Sequence, residues 1–364
     1  MPMTVQYSLT ERHEKILRAT IKHYIATAEP VGSKTLMEEY DFMVSSATIR
    51  NAMGKLEKAG LLYQPYTSAG RIPSDSGYRI YVDKLISPAR KIKTKIAELF
   101  STKVHPQSWS YEALLQKTTE ILANVSGYIA LITMPQTANN ILHHLQLIRI
   151  GTGQIMLILV IDSYQTESIL LDNPESFKDD NNQNLDLIDS ELQILSNFLN
   201  SKVKGKSLSE LSNLDWTELD REFKNYTNFI NFLLQEINNH YQISASIPIV
   251  IKGVSAVVRQ PEFSQIEQVQ MLLHLLEQEQ EQLLPLIFDV PKSNQSFPQV
   301  KVKVSIGSEN PLESMRPCSL ISAIYRQGNN GIGSVGIIGP TRMFYENAIA
   351  LVESTADYLS ETLR

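Results

Sequence analysis

The sequence predicts a multidomain α+β chain, and three observations carry that reading. Its 364 residues, 43% hydrophobic and 20% charged, are enough for roughly two or three globular cores. Residues 10–73 run as three short amphipathic helices followed by two short strand segments. Further on, strand-like runs at 128–171 and 249–339 flank a mostly helical stretch at 185–242, the layout of one mixed domain split by an insertion.

Taken in order, Thr10 caps a helix over ERHEKILRATIKHYIATAEP with Leu17, Ile21, Tyr24 and Ala28 on one face, and Pro30 and Gly32 break it. Ser33 caps a short helix, KTLMEEY, expected to turn Leu36, Met37 and Tyr40 inward. Ser45 and Ser46 then offer caps for a third helix, and Gly60 supplies its left-handed stop. Within that helix Ile49, Ala52, Met53, Leu56 and Ala59 recur at helical spacing as a buried stripe. The opposite side presents Arg50, Asn51, Gly54 and Lys58, with Thr48 and Lys55 at its margin and Glu57 as the flanking carboxylate. Leu61–Tyr63 and Arg71–Pro73 read as a hairpin whose tip carries Tyr66, Thr67, Ser68, Gly70 and Arg71. Three helices and a hairpin are the winged helix-turn-helix order. Arg and Asn suit base edges; Lys and hydroxyls suit phosphates. An ordinary solvated helix face has the same composition, so the face alone does not decide.

After the hairpin, Ser74 or Asp75 caps GYRIYVDKLI, with Tyr78, Val82 and Leu85 on one side, and a basic stretch follows. A helix at Tyr111–Val125 precedes strands at 128–134, 142–150, 155–161 and 166–171. Helices are expected over 185–200, near 207–212 and from Asp215 to Tyr241. A strand after Pro248 leads to a helix from Pro261 to about Gln282. Strands at 300–307, 318–326 and 334–339 and a helix at Thr341–Leu363 close the chain.

Charge is unevenly placed. Residues 1–95 hold 15 Lys and Arg against 9 Asp and Glu, whereas 96–364 hold 18 against 30, within a net −6. A basic head on an acidic body suits nucleic-acid binding by one end. The apolar run at 155–161 is strand length and the opening MPMTVQYSLTERHEK lacks secretory order, so a cytoplasmic location is expected. Cys318 is the single cysteine, which excludes an internal disulfide and a cysteine-cage zinc site. GIGSVG at 331–336 fits a dinucleotide fingerprint only in isolation, since no helix follows directly and no further strand remains. His143 and His144 are adjacent on a strand and face apart. No catalytic constellation, cofactor or metal site is predicted.

Residues 5–87 resemble the heat-inducible transcription repressor HrcA family, through PVGSKTL at 30–36, SSATIRNAM at 45–53, LEKAGLL at 56–62 and TSAGRIPSDSGYRIYVD at 67–83. IGSEN at 306–310 and GIGSVGIIGPTRM at 331–343 extend the resemblance. It implies a GAF-like domain interrupted by a mostly helical inserted dimerising domain. The expected limits are 1–88 for the winged helix, 89–110 for a linker, 111–176 and 286–364 for the GAF-like halves, and 177–285 for the insertion. It further implies a homodimeric repressor of chaperone operons that binds the inverted-repeat CIRCE operator in double-stranded DNA and is kept active by the GroEL chaperonin; with no catalytic arrangement among its residues, the chain is not expected to be an enzyme. DNA contacts are expected from Thr48, Arg50, Asn51, Lys55 and Lys58 in the third helix and Tyr66, Thr67, Ser68 and Arg71 in the wing. A ligand-gated regulator, its GAF-like domain holding a small-molecule effector, is the alternative.

Overall fold

The structure is a computed structural model and describes residues 9–86, 96, 98–100, 102, 110–135, 141–150, 154–161, 165–172, 185–211, 226–243, 247–288, 302–328 and 330–363. Along the chain these form α1 (Glu11–Thr27), α2 (Ser33–Glu39), α3 (Ser46–Lys58), β1 (Leu62–Tyr63), β2 (Ile72–Pro73) and α4 (Asp75–Ile80). Then come α5 (Tyr111–Ser126), β3 (Ile129–Thr133), β4 (Leu142–Arg149), β5 (Gln154–Ile161), β6 (Gln165–Asp172), α6 (Leu185–Val203) and α7 (Thr227–Ile243). The last set is β7 (Ile249–Lys252), α8 (Ile266–Gln278), α9 (Gln280–Ile287), β8 (Val302–Ile306), β9 (Cys318–Gln327), β10 (Asn330–Pro340) and α10 (Tyr345–Thr362). The chain separates into two compact units, residues 1–134 with 248–364, and residues 135–247.

In the first unit, α1–α3 and the β1–β2 hairpin make the head. Its core is Ile16, Leu17, Ile21, Leu36, Ile49 and Leu56, each at most 1% exposed. Thr10 caps α1 as expected, accepting from the His13 amide, but α1 stops at Ala28, which takes the left-handed conformation at φ 58°. Met37 is 40% exposed rather than inward, because the seven-residue α2 buries only Ser33 and Leu36. Gly32, not Ser33, occupies the cap of α2; the Ser33 hydroxyl instead meets Ser46 Oγ at 3.0 Å and ties α2 to α3. The helix expected to run on from residue 77 changes pitch at Tyr81–Leu85, a π-helical turn closed by Ile86 N to Tyr81 O. Five-residue spacing rotates the buried face onto Tyr78, Tyr81 and Leu85 and leaves Val82 half-buried.

The body of this unit is an antiparallel five-stranded sheet in the order β7-β3-β10-β9-β8. Helices α5 and α10 pack on it through Leu115, Leu122, Ala348, Val352, Thr355 and Leu359, all buried. Phe344, expected on that face, caps α10 and is 53% exposed. The single helix expected from Pro261 is a 3-10 turn at Pro261–Phe263 followed by α8 and α9, and Ile266 in it is 73% exposed. Most of 89–110, expected as a linker, lies outside the described residues. Ile96 and Phe100 from that stretch are buried, and the Phe100 ring stacks on Tyr358 at 4.6 Å.

In the second unit, β4-β5-β6 form their own antiparallel sheet. Ile155, Leu157, Leu159 and Ile161 alternate inward and join Leu195, Leu199, Phe229, Ile230 and Leu233 of α6 and α7 in one core. The edge strand β4 is closed by side chains: Ser196 Oγ accepts from the Leu147 amide at 2.9 Å, and Asn200 Oδ1 from the Leu145 amide at 2.9 Å. These three strands therefore belong with the helices rather than with the body sheet. The division falls after Met134 and before Pro248, where boundaries at 176/177 and 285/286 had been expected. Alternating strands read alike in either sheet, so composition could not assign them. The start of the helix expected from Asp215 lies outside the described residues.

Candidate nucleic-acid interface

The candidate surface is the outer side of α3 with the hairpin beside it. Ser45 adopts the extended cap conformation, its Oγ accepting from the Thr48 amide at 3.3 Å and meeting Thr48 Oγ1 at 3.0 Å. Ile49, Ala52, Met53 and Leu56 are buried, Ala59 is half-buried, and Gly60 at φ 73° turns the chain into β1. That anchoring fixes the roll of the helix. Arg50, Asn51, Lys55 and Lys58 are consequently exposed, and Thr48 is half-buried with its hydroxyl engaged at the cap. Removing the cap with Ser45→Ala is expected to lower the melting stability of the protein by about 1 kcal/mol without altering the exposed face. Thermal denaturation followed by circular dichroism checks it.

Tyr66, Thr67 and Ser68 are exposed at the hairpin tip, Tyr66 by 62%. The tip is shaped from within: Gln64 Nε2 donates to the carbonyls of Thr67 at 2.8 Å and Ala69 at 3.0 Å. At the base, Val31 and Arg71 exchange both backbone hydrogen bonds at 2.9 Å. Arg71, like Thr48, is placed differently from the other seven residues singled out by sequence. Its guanidinium is half-buried and pairs with Glu57 at 2.9 Å. This bond braces the hairpin against α3 and neutralises the carboxylate that flanks the cationic face. Sequence reasoning passed over two residues here: Gln64, which closes the tip, and Met43, which stands 93% exposed just ahead of α3. An apolar residue in the polar connection 41–44 was the signal for the latter.

Chemically, the surface offers one guanidinium, two ammonium groups, a carboxamide and hydroxyls, with no exposed carboxylate among its named members. It matches phosphates and base edges. Cys318 is fully buried, and burial pushes its thiol up to about 12, which suits a packing role. Among the described residues, no helix is long and apolar enough to cross a membrane.

A compact helix-and-hairpin head with an outward cationic helix, joined to a larger mixed body, is the build of a modular nucleic-acid-binding regulator. Comparison with known proteins makes the assignment specific. A family model described as the HrcA protein C terminal domain matches residues 112–349. The heat-inducible transcription repressor HrcA of Trichormus variabilis is 54% identical, covering 98% of this chain and 99% of its own length. That of Synechocystis sp. is 52% identical, over 98% of each chain. The chain belongs to the HrcA family of heat-inducible transcription repressors. A solved structure described as a hypothetical protein at 2.2 Å resolution shares the fold, with a TM-score of 0.60, 22% identity and 97% of this chain covered.

Proposed function

We propose that the protein is a cytoplasmic, homodimeric DNA-binding repressor of heat-shock chaperone operons. In this reading the head is a winged helix-turn-helix. It lays α3 in the major groove of an inverted-repeat CIRCE operator and sets the hairpin tip against the adjoining backbone. The observation that carries it is the division of α3: one side buried at Ile49, Met53 and Leu56, the other presenting Arg50, Asn51, Lys55 and Lys58 to solvent. Thr48 supports the helix start, Tyr66, Thr67 and Ser68 make the wing contacts, and Arg71 acts through its brace on Glu57.

The body is read as a GAF-like domain, and residues 135–247 as the dimerising insertion. Support for the latter comes from the outer side of the β4-β5-β6 sheet. Register places Ile148, Met156 and Leu170 in one row and Gln146, Ile158 and Ser168 in the next. Ile148 is 39% and Leu170 54% exposed, an apolar face of the kind a second copy covers. GroEL keeps the repressor active, so that chaperonin occupied by misfolded protein leaves the operon open.

The test is footprinting and fluorescence anisotropy with the purified protein on a CIRCE duplex and a scrambled duplex, with and without GroEL. Protection of both half-sites and stronger binding after GroEL treatment are expected. Equal affinity for the two duplexes would refute sequence-specific repression.

A further inference from the structure

The IGSEN segment lies far in sequence from the DNA-facing residues, yet it closes on the head. Asp75, the first residue of α4, accepts hydrogen bonds through Oδ2 from the Ser308 amide and the Ser308 hydroxyl, both at 2.8 Å. One turn later Arg79 donates from Nε to Glu309 Oε1 at 2.8 Å, from a terminal nitrogen to Glu309 Oε2, and to the Val304 carbonyl at 2.7 Å. Its remaining nitrogen meets Asp83 at 3.1 Å. The Ile306 amide donates to Glu309 Oε2 at 2.9 Å, so the carboxylate is aimed from its own side as well. Gly307 sits at φ 52°, and a Cβ there would fall 2.3 Å from the Asp75 carboxylate. The turn leaves no room for a side chain beside the Asp75 carboxylate.

What α4 feels, α3 feels. Ser74, the α4 cap, donates its amide to Leu61 O at 3.1 Å and its hydroxyl to Gly60 O at 2.6 Å, at the junction of α3 and β1. Gly77 is pressed to that junction, with space for no Cβ beside Leu61 O. The orientation of α4 on the body thus sets the direction in which the recognition face points. Two further cationic bonds join head and body. Arg342 donates to Ile25 O at 3.2 Å while paired with Glu262, and Lys22 lies 3.7 Å from Glu346.

We infer that Asp75 and Arg79 of α4, with Ser308 and Glu309 of the IGSEN turn, are positioning residues that hold the DNA-reading head at a fixed angle on the body. Bidentate, directional bonds of this kind define an angle more than they add stability. Apolar contact at the same seam, such as Tyr78 on Tyr345 at 5.7 Å, fills space without supplying a directional bond. In a dimer the fixed angle is one of the constraints on the spacing between two α3 helices. The latch therefore governs simultaneous engagement of both half-sites and leaves each single half-site contact unchanged. This last step rests on the DNA-binding reading above; the fixed angle itself does not.

The test uses the full chain carrying Asp75→Asn and Glu309→Gln together, which keep side-chain volume. Binding is measured by anisotropy on a duplex with both half-sites and on one with a single half-site. Loss of simultaneous engagement should weaken two-site binding by ~10-fold or more, with single-site binding unchanged. In parallel, Arg12→Cys and Glu361→Cys, both exposed, carry spin labels, diluted with unlabelled protein, for a pulsed distance measurement. The buried Cys318 stays unlabelled. A narrow head-to-body distance distribution that broadens in the double variant is expected. A distribution that stays narrow, or two-site binding that does not fall, overturns the inference. So does an equal loss on both duplexes, which would mark a merely structural contact. If the parent protein binds neither duplex, the DNA-binding reading fails, and the distance measurement still decides whether the latch fixes the head.

Discussion

If residues 135–247 form the proposed dimer contact, Leu170→Glu should give a monomer in sedimentation velocity where the parent chain is a dimer, and nearly abolish binding to a two-half-site duplex. The side chain stands on the outer row of the β4-β5-β6 sheet, opposite Met156 on β5 and two strands from Ile148 on β4. At 54% exposure it adds little to the fold of a single copy, where a surface change is worth about ±0.5 kcal/mol. Covered by a second copy, the introduced carboxylate would be stripped of water without a partner, a cost of several kcal/mol that the interface cannot absorb. Avidity sets the consequence for DNA. Two linked heads gain about 10²- to 10⁴-fold over one, so the monomer should fall to the affinity of an isolated half-site contact. Melting temperature at low protein concentration should hold. A variant that stays dimeric places the interface on another surface.

The parts of this molecule that announced themselves in sequence are those whose cause is local. The α3 stripe at Ile49, Ala52, Met53 and Leu56 follows from 3.6-residue periodicity, and its cap at Ser45 from a hydroxyl placed just ahead of a helical run. The outward cationic face is the complement of that stripe, so it was legible too. The assignment of β4, β5 and β6 was not. Their alternation says that one side is buried and is silent on which helices bury it. The shared core with α6 and α7, and the bonds from Ser196 and Asn200 on α6 to the β4 backbone, make that choice. Arg71 shows the same limit in miniature. As a cation at a hairpin base it reads as a phosphate ligand, and its partner Glu57, fourteen residues away, is a tertiary fact. Asp75 and Glu309 are separated by most of the chain, and no spacing rule joins them.

Arg50→Ala and Lys58→Ala should separate base reading from phosphate holding. Both side chains are exposed on α3, towards its two ends, so neither substitution disturbs the core. An arginine that forks onto a guanine edge discriminates by about 1–3 kcal/mol, so if Arg50 reads a guanine in the proposed CIRCE operator, Arg50→Ala should weaken that duplex by this amount and relax specificity at one position of each half-site. Lys58 is the last residue of α3, the end that would leave the groove towards the backbone in the proposed docking. Lys58→Ala should therefore weaken cognate and scrambled duplexes alike, and flatten the dependence of log Kd on log salt by about one unit for each phosphate no longer neutralised. The informative quantity is the ratio between duplexes, measured across a salt series. It should shrink for Arg50→Ala and stay constant for Lys58→Ala, because a phosphate contact carries no base identity. Ratios that move together in the two variants would mean that α3 lies on the backbone rather than in the groove. The wing at Tyr66–Ser68 would then be the element left to read sequence.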